Sequence, residues 1–429
     1  MKIAVIGAGS TYTPEFVDGF IKRADSLKVD EFCFMDINQE KQKIVASFAE
    51  RMLYASGLSA KIKLTGSLEE ALEGADFVIG QVRVGLLDAR ITDEKIPLKY
   101  NLLGQETTGI GGMMNALRTI PVIMNVAKAM ERLAPNAWLI NFSNPSGLVA
   151  EAVLNNTDVK TIGLCNGPIN MIKEARTRLP EGTKRFDYDF VGLNHLCWIT
   201  AIYADGREIL HELFKDDIES IALKNVPGRK YSPDLLNATG GIPISYLNYY
   251  YFREQQIEKC KAAEKTRGEI CVEIERELLK LYSDPALVKK PDLLDKRGGA
   301  LYSEAAVSII DAIVNNKNDT HVVDVLNKGA YEFMDDNDVV EVKCTVGRDG
   351  PIPIKLKGFS NPYIIGMMKA VKMYEKLTVR ASLTGSYNDA LSALMVHPLI
   401  GDYDKASAAL KEMLRANIHF LPQFNPVNW

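Results

Sequence analysis

The sequence predicts an α/β protein: a Rossmann-like doubly wound parallel sheet followed by a second, α+β and largely helical, substrate lobe. Three observations carry this reading. Apolar runs and helical stretches alternate through the first third, the first apolar run ends in a glycine turn that opens a helix, and the rhythm changes beyond Pro168.

The strands come first. IAVIG (3–7), EFCFMDI (31–37), KIKLTG (61–66), DFVIGQV (76–82), AWLINFS (137–143) and KTIGLC (160–165) are short apolar runs closed by turn residues, as in strands buried on both faces. Helical patterns lie between them. SLEEALEGA (67–75) opens with Ser67 and Glu70 at capping-box spacing, and Met113–Leu133 is a long helix. FDYDFVGLNHLCWITAIYADG (186–206) predicts antiparallel strands with a turn at Asp205-Gly206. Arg253–Tyr282 predicts one long charged helix broken only by Gly268. From about Gly299 the chain is expected to be mostly helical, with an irregular stretch at 347–362. With no linker or repeat in sight, the division expected is a nucleotide-binding domain over 1–168 and a tightly packed substrate, metal and oligomerisation domain over 169–429.

Composition narrows the function. A length of 429 residues and a net charge of −4, from 51 Lys+Arg against 55 Asp+Glu, provide no basic excess to neutralise a phosphate backbone, so nucleic acid is not the expected partner. Six scattered cysteines without a CxxC pair argue against a disulfide framework and for a reducing compartment. The N-terminal apolar run is too short for a signal peptide, and no segment approaches the ~20 apolar residues of a membrane helix. A cytoplasmic protein off the membrane is expected.

In GAGSTYTPE (7–15), Gly7 permits the tight turn and Gly9 a close backbone approach to a pyrophosphate. The helix that follows, beside Ser10, supplies N–H groups and a positive dipole end. Tyr12 stands where a third glycine is usual. Asp36, ending the second strand, suits ribose hydroxyls and disfavours a 2′-phosphate, so NAD is expected rather than NADP. A glycine turn alone would serve any strand-to-helix junction; strand, turn, helix, strand and acid together point to the cofactor. Cys165 ends the sixth strand, where ligands of open parallel sheets bind, and His195 opens the second lobe. Taken singly, each is equally well a core cysteine or a structural histidine.

Six motifs in order, GAGSTYTPE, GQETTGIGG (104–112), NFSNPSG (141–147), GLCNGPIN (163–170), GLNHL (192–196) and KRGGALYSEAA (296–306), resemble the family 4 glycoside hydrolases, and within them the 6-phospho-β-glucosidases. The resemblance implies a hydrolase that uses NAD and a divalent metal, usually Mn²⁺, on a phosphorylated β-glucoside such as cellobiose 6-phosphate. Its implied course is oxidation at C3, deprotonation at C2, elimination, water addition and re-reduction. It also implies Cys165 and His195 as metal ligands, Tyr246 as the C2 base, and Asn141 as a cofactor-turn residue. Asn144 is implied as a hydroxyl ligand, with Arg90 and Arg267, and less securely placed Arg297, as phosphate ligands. Asn166 stands where members acting on α-linked substrates carry Asp; an amide cannot protonate a leaving group, which favours β. A homo-oligomer is expected. The rival readings are a lactate- or malate-type NAD dehydrogenase, a cofactor-sensing binding protein, and a family 4 glycosidase with another glycoside.

Overall fold

The computed structural model describes residues 1–220, 226, 228–297 and 302–425. All six apolar runs of the first third are strands: β1 (Lys2–Ile6), β2 (Glu31–Met35), β3 (Lys61–Thr65), β4 (Phe77–Gly80), β5 (Trp138–Asn141) and β6 (Lys160–Gly163). Helices alternate with them: α1 (Thr13–Ile21), α2 (Gln39–Ala55), α3 (Leu68–Leu72), α4 (Leu86–Lys95), α5 (Gly109–Leu133), α6 (Ser146–Asn156) and α7 (Gly167–Thr177). The strands run parallel in the order β3-β2-β1-β4-β5-β6, with Ile3 of β1 opposite Phe32 on one side and Phe77 on the other. Ile3, Ala4 and Val5 are fully buried because helices cover both faces. The order reverses between β1 and β4, which opens a crevice at the strands' carboxyl ends. Ser67 caps α3 by accepting the Glu70 N–H at 3.2 Å, while the Glu70 carboxylate accepts from Thr65 and Lys63.

The C-terminal part is largely helical as expected, with Tyr302–Asn315, Pro362–Thr384, Tyr387–Val396 and Tyr403–Asn417, but it also holds three strands that were not expected. Asp319–Leu326 pairs antiparallel with β6, Asp324 lying opposite Gly163, and Val339–Gly347 and Gly350–Pro353 extend the sheet to nine strands among the described residues. Their sequences, DTHVVDVL and VVEVKCTVG, are β-branched and favour a pleated, buried surface over a helix. The single helix expected over Arg253–Tyr282 is two, Arg253–Ala262 and Arg267–Tyr282. The break falls before Gly268, because Thr266 and Glu269 exchange side-chain and backbone bonds in a capping box. Gly268 instead serves packing: a Cβ there would stand 2.7 Å from Ile91 Cγ1.

β7 (Phe186–Leu193) and β8 (Leu196–Ala204) are antiparallel as expected, and Asp205 and Gly206 turn the chain with φ of 51° and 88°. The two-residue turn between β7 and β8 carries His195, held at φ 64°. Helix Pro362–Thr384 packs on α5 and α6, joining the later half to the first. No helix of the described residues is long and apolar enough to cross a membrane. Of the KRGG motif, residues 298–301 lie outside the described residues.

Candidate active site

A cleft of about 1590 Å³ runs along the carboxyl ends of the parallel strands. One end is built from backbone. Gly7 has φ +89°, and a Cβ on it would stand 2.8 Å from the Gln81 carbonyl oxygen. The Gly9 N–H donates to Asp36 Oδ2 at 2.7 Å, and the Asn38 N–H donates to Oδ1 at 2.8 Å. A Cβ on Gly9 would meet that same Oδ2 at 2.9 Å, so the turn and the acid close on each other only with glycine there. Gly7, Gly9, Ser10 and Asp36 all line the cleft. Tyr12, in place of a third glycine, lies under the Arg297 guanidinium, whose carbon is 4.9 Å from the ring centroid; Arg297 is paired with Glu275 at 2.8 Å.

The other end is built from side chains. Asn144, Asn166, His195 and Tyr246 line it. The His195 and Tyr246 rings stack with centroids 3.9 Å apart and planes 14° from parallel. Burial holds His195 down to about 4 against the opposing charge of Glu106, so the imidazole is neutral near pH 7. Burial pushes the Tyr246 phenol well above its usual range, the neighbouring Cys165 adds to this, and Arg90 only partly offsets it. The Cys165 thiol accepts the Gly167 N–H at 3.3 Å at the start of α7. It lies just beneath the cleft surface, 4% exposed, while Asn166 beside it reaches the lining. Burial, and then the Glu341 carboxyl, raise that thiol well above its ordinary value.

The remaining expected residues are placed as follows. Arg90 lines the cleft but is buried between Glu94 (2.8 Å) and Glu106 (3.1 Å). Arg267 lies outside the lining, and its guanidinium donates to the carbonyls of Lys296 (2.9 Å) and Arg297 (2.7 Å). Asn141 is fully buried and closes on the backbone of Ser143, shaping the turn from behind. Sequence reasoning missed Arg83 and Glu106, which pair at 2.8 Å in the cleft wall. Although burial opposes it, the two guanidinium groups of Arg90 and Arg83 hold Glu106 down to about 2. Arg83 was findable: it follows the carboxyl end of β4, where ligands of an open sheet bind. Glu106 sits in a loop whose pattern carries no period, and nothing local singles it out.

The glycine cradle and Asp36 fit a dinucleotide. One thiol and one neutral imidazole, both beside Tyr246, fit a cation held by few protein ligands. Among the described residues no three His, Cys, Asp or Glu side chains are placed to hold a metal, so such a cation would complete its shell with substrate and water.

Fold and cleft together define a dinucleotide-binding α/β protein whose cofactor groove opens into a chamber of buried ionisable groups. Residues 2–180 match the model of the family 4 glycosyl hydrolases, and residues 190–400 match that of the family 4 glycosyl hydrolase C-terminal domain. The chain belongs to this family. It is 42% identical to a probable 6-phospho-beta-glucosidase of Bacillus subtilis, over 99% of this chain and 98% of that one. It is 37% identical to a 6-phospho-beta-glucosidase of Escherichia coli, over 99% and 97%. The 6-phospho-beta glucosidase of Thermotoga maritima, solved with manganese, NAD+ and glucose-6-phosphate, superposes with a TM-score of 0.86 at 34% identity, covering 98% of this chain and 99% of that one.

Proposed function

We propose that the chain is a 6-phospho-β-glucosidase that hydrolyses phosphorylated β-glucosides such as cellobiose 6-phosphate with NAD and a divalent manganese ion. One observation carries the reading: a single cleft joins the Asp36–glycine turn to the stacked His195–Tyr246 pair above Cys165. NAD, when bound, would supply a hydride acceptor and donor for sugar C3, and a divalent cation would supply positive charge beside the sugar hydroxyls and Tyr246.

Residues of the first lobe, 1–168, hold the cofactor: Gly7, Gly9 and Ser10 the pyrophosphate, Asp36 the ribose, with Asn141 shaping the adjoining turn. Cys165 and His195 are the metal ligands, from either side of the lobe boundary. Tyr246 takes the C2 proton once C3 is oxidised, and added positive charge beside it counters the burial that keeps its phenol protonated. Asn144 and Asn166 orient hydroxyls without adding charge, and Asn166 offers no acid proton to an α-linked leaving group. The 6-phosphate meets the arginine wall of Arg83 and Arg90. Six free thiols accord with a reducing cytoplasm.

Cellobiose 6-phosphate in D₂O with NAD⁺ and Mn²⁺ is the test. Glucose 6-phosphate deuterated at C2 is expected, with no net NADH at 340 nm and many turnovers per NAD⁺. Net NADH would indicate a dehydrogenase; full activity in cofactor-free enzyme, or product keeping its C2 hydrogen, would overturn the mechanism.

A further inference from the structure

The loop Gln105–Thr108, in the GQETTGIGG motif, binds two histidines, and the bonds it makes to their rings can be read in only one sense. Gln105 Oε1 receives the backbone N–H groups of Thr107 (2.6 Å) and Thr108 (3.1 Å), so this atom is the amide oxygen. It therefore also accepts the Thr107 hydroxyl hydrogen, at 2.7 Å. That hydroxyl has no second hydrogen to give. Its oxygen lies 2.6 Å from His195 Nδ1, so Nδ1 must carry the proton. Gln105, Thr107 and His195 are 5–6% exposed, which keeps water from rewriting the assignment.

The loop is anchored from its far side by the same logic. The Leu399 N–H donates to His397 Nδ1 at 3.1 Å, so His397 Nε2–H donates to Thr108 Oγ1 at 3.0 Å. Thr108 also meets the Tyr250 hydroxyl at 2.8 Å.

We infer that Gln105 and Thr107 are positioning residues that lock His195 in the Nδ1–H tautomer and so present Nε2 as the lone-pair nitrogen to the metal. The inference rests on the reading of His195 as a metal ligand. An imidazole can ligate only through an unprotonated nitrogen, and a hydrogen bond at the other nitrogen selects it and orients the ring. His195 also sits at φ 64°, in a two-residue turn, and Tyr246 stacks flat on its ring; the stack sets the plane of the ring but not the direction of its nitrogens within that plane. The lock supplies that orientation.

The test begins with ¹⁵N-histidine-labelled, metal-free full chain, in which five histidines keep the spectrum assignable. His195 is expected to show a protonated Nδ1 and an unprotonated Nε2; the reverse pattern overturns the lock without any variant. Mn²⁺ affinity is then read from the electron paramagnetic resonance of the free ion. Thr107→Val, nearly isosteric, is expected to weaken Mn²⁺ binding by about 10–100-fold, and Thr107→Ser to restore it to within about threefold. Thr107→Val binding Mn²⁺ within twofold of wild type overturns the proposal. Cys165→Ser separates the two readings: unchanged Mn²⁺ affinity in it removes the metal assignment, whereas the tautomer, measured without metal, is judged on its own.

Discussion

At the nucleotide end of the cleft the contacts come from main chain: glycines at 7 and 9, N–H groups aimed at one acid, and a helix start, all within the first 38 residues. At the chemical end, Arg83, Glu106, Asn166, His195 and Tyr246 converge from five separate segments, and nearly every one holds another in place. A backbone site needs only a turn and tolerates variation in side chains that point away. A side-chain site needs the whole fold to be right, and its groups acquire their chemistry from one another's burial and charge.

The largest effect that tests this contrast is Tyr246→Phe. Turnover should fall by ~10²–10⁴-fold, the usual worth of a positioned base, while NAD affinity stays within twofold. A parallel loss of NAD binding would mean that the two ends are not independent. Next comes Gly9→Ala, whose Cβ would press on Asp36 at 2.9 Å. Here NAD binding should weaken by ~10–100-fold, about 1.4–2.8 kcal/mol, with Mn²⁺ affinity unchanged. Titration showing wild-type NAD affinity would remove the close approach from the account. Arg83→Gln should raise KM about tenfold for the 6-phosphate substrate and far less for its unphosphorylated analogue, as loss of one charged contact on a partly exposed site implies. Equal rises would make Arg83 a partner of Glu106 alone.

The smallest effect lies below the chemical end. Burial pushes Asp324 up to about 7 from an ordinary 3.8, against a hydrogen bond from Ser146, and burial likewise raises Glu375 to about 7 despite Lys372. The sign follows from linkage. The unfolded chain releases the Asp324 proton from near pH 4, the folded chain only near 7, so stability is lost as pH rises across that interval. Asp324→Asn should therefore raise Tm by about 2–5 °C at pH 8 and leave it unchanged at pH 4. A gain of the same size at both pH values would trace to packing rather than charge.

The same contrast explains what could be read in advance. Strands β1 to β6 and the Gly7–Gly9–Asp36 unit were legible because short-range pattern dictates them: apolar runs, a turn that needs positive φ, an acid at a strand end. Cys165, His195 and Tyr246 were legible only as matches to motifs, since a lone thiol or imidazole has no local signature. Arg267 shows the limit. Its residue type suits phosphate, yet the capping box at Thr266 begins a helix whose first side chain turns to the carbonyls of Lys296 and Arg297. The β-branched runs after residue 319 were present in the sequence, but the strand they join, β6, lies far earlier in the chain, and no local pattern announces that pairing.

The return of Asp319–Leu326 to β6 has a consequence for synthesis. As the ribosome delivers the chain, β1 to β6 can assemble early, yet β6 then stands as an open edge, its hydrogen-bonding groups unclaimed until the last third emerges. Such edges recruit foreign strands. The nascent protein is thus most exposed to self-association after its first six strands are complete and before its sheet is, and a ligand in the crevice between β1 and β4 does not reach that edge.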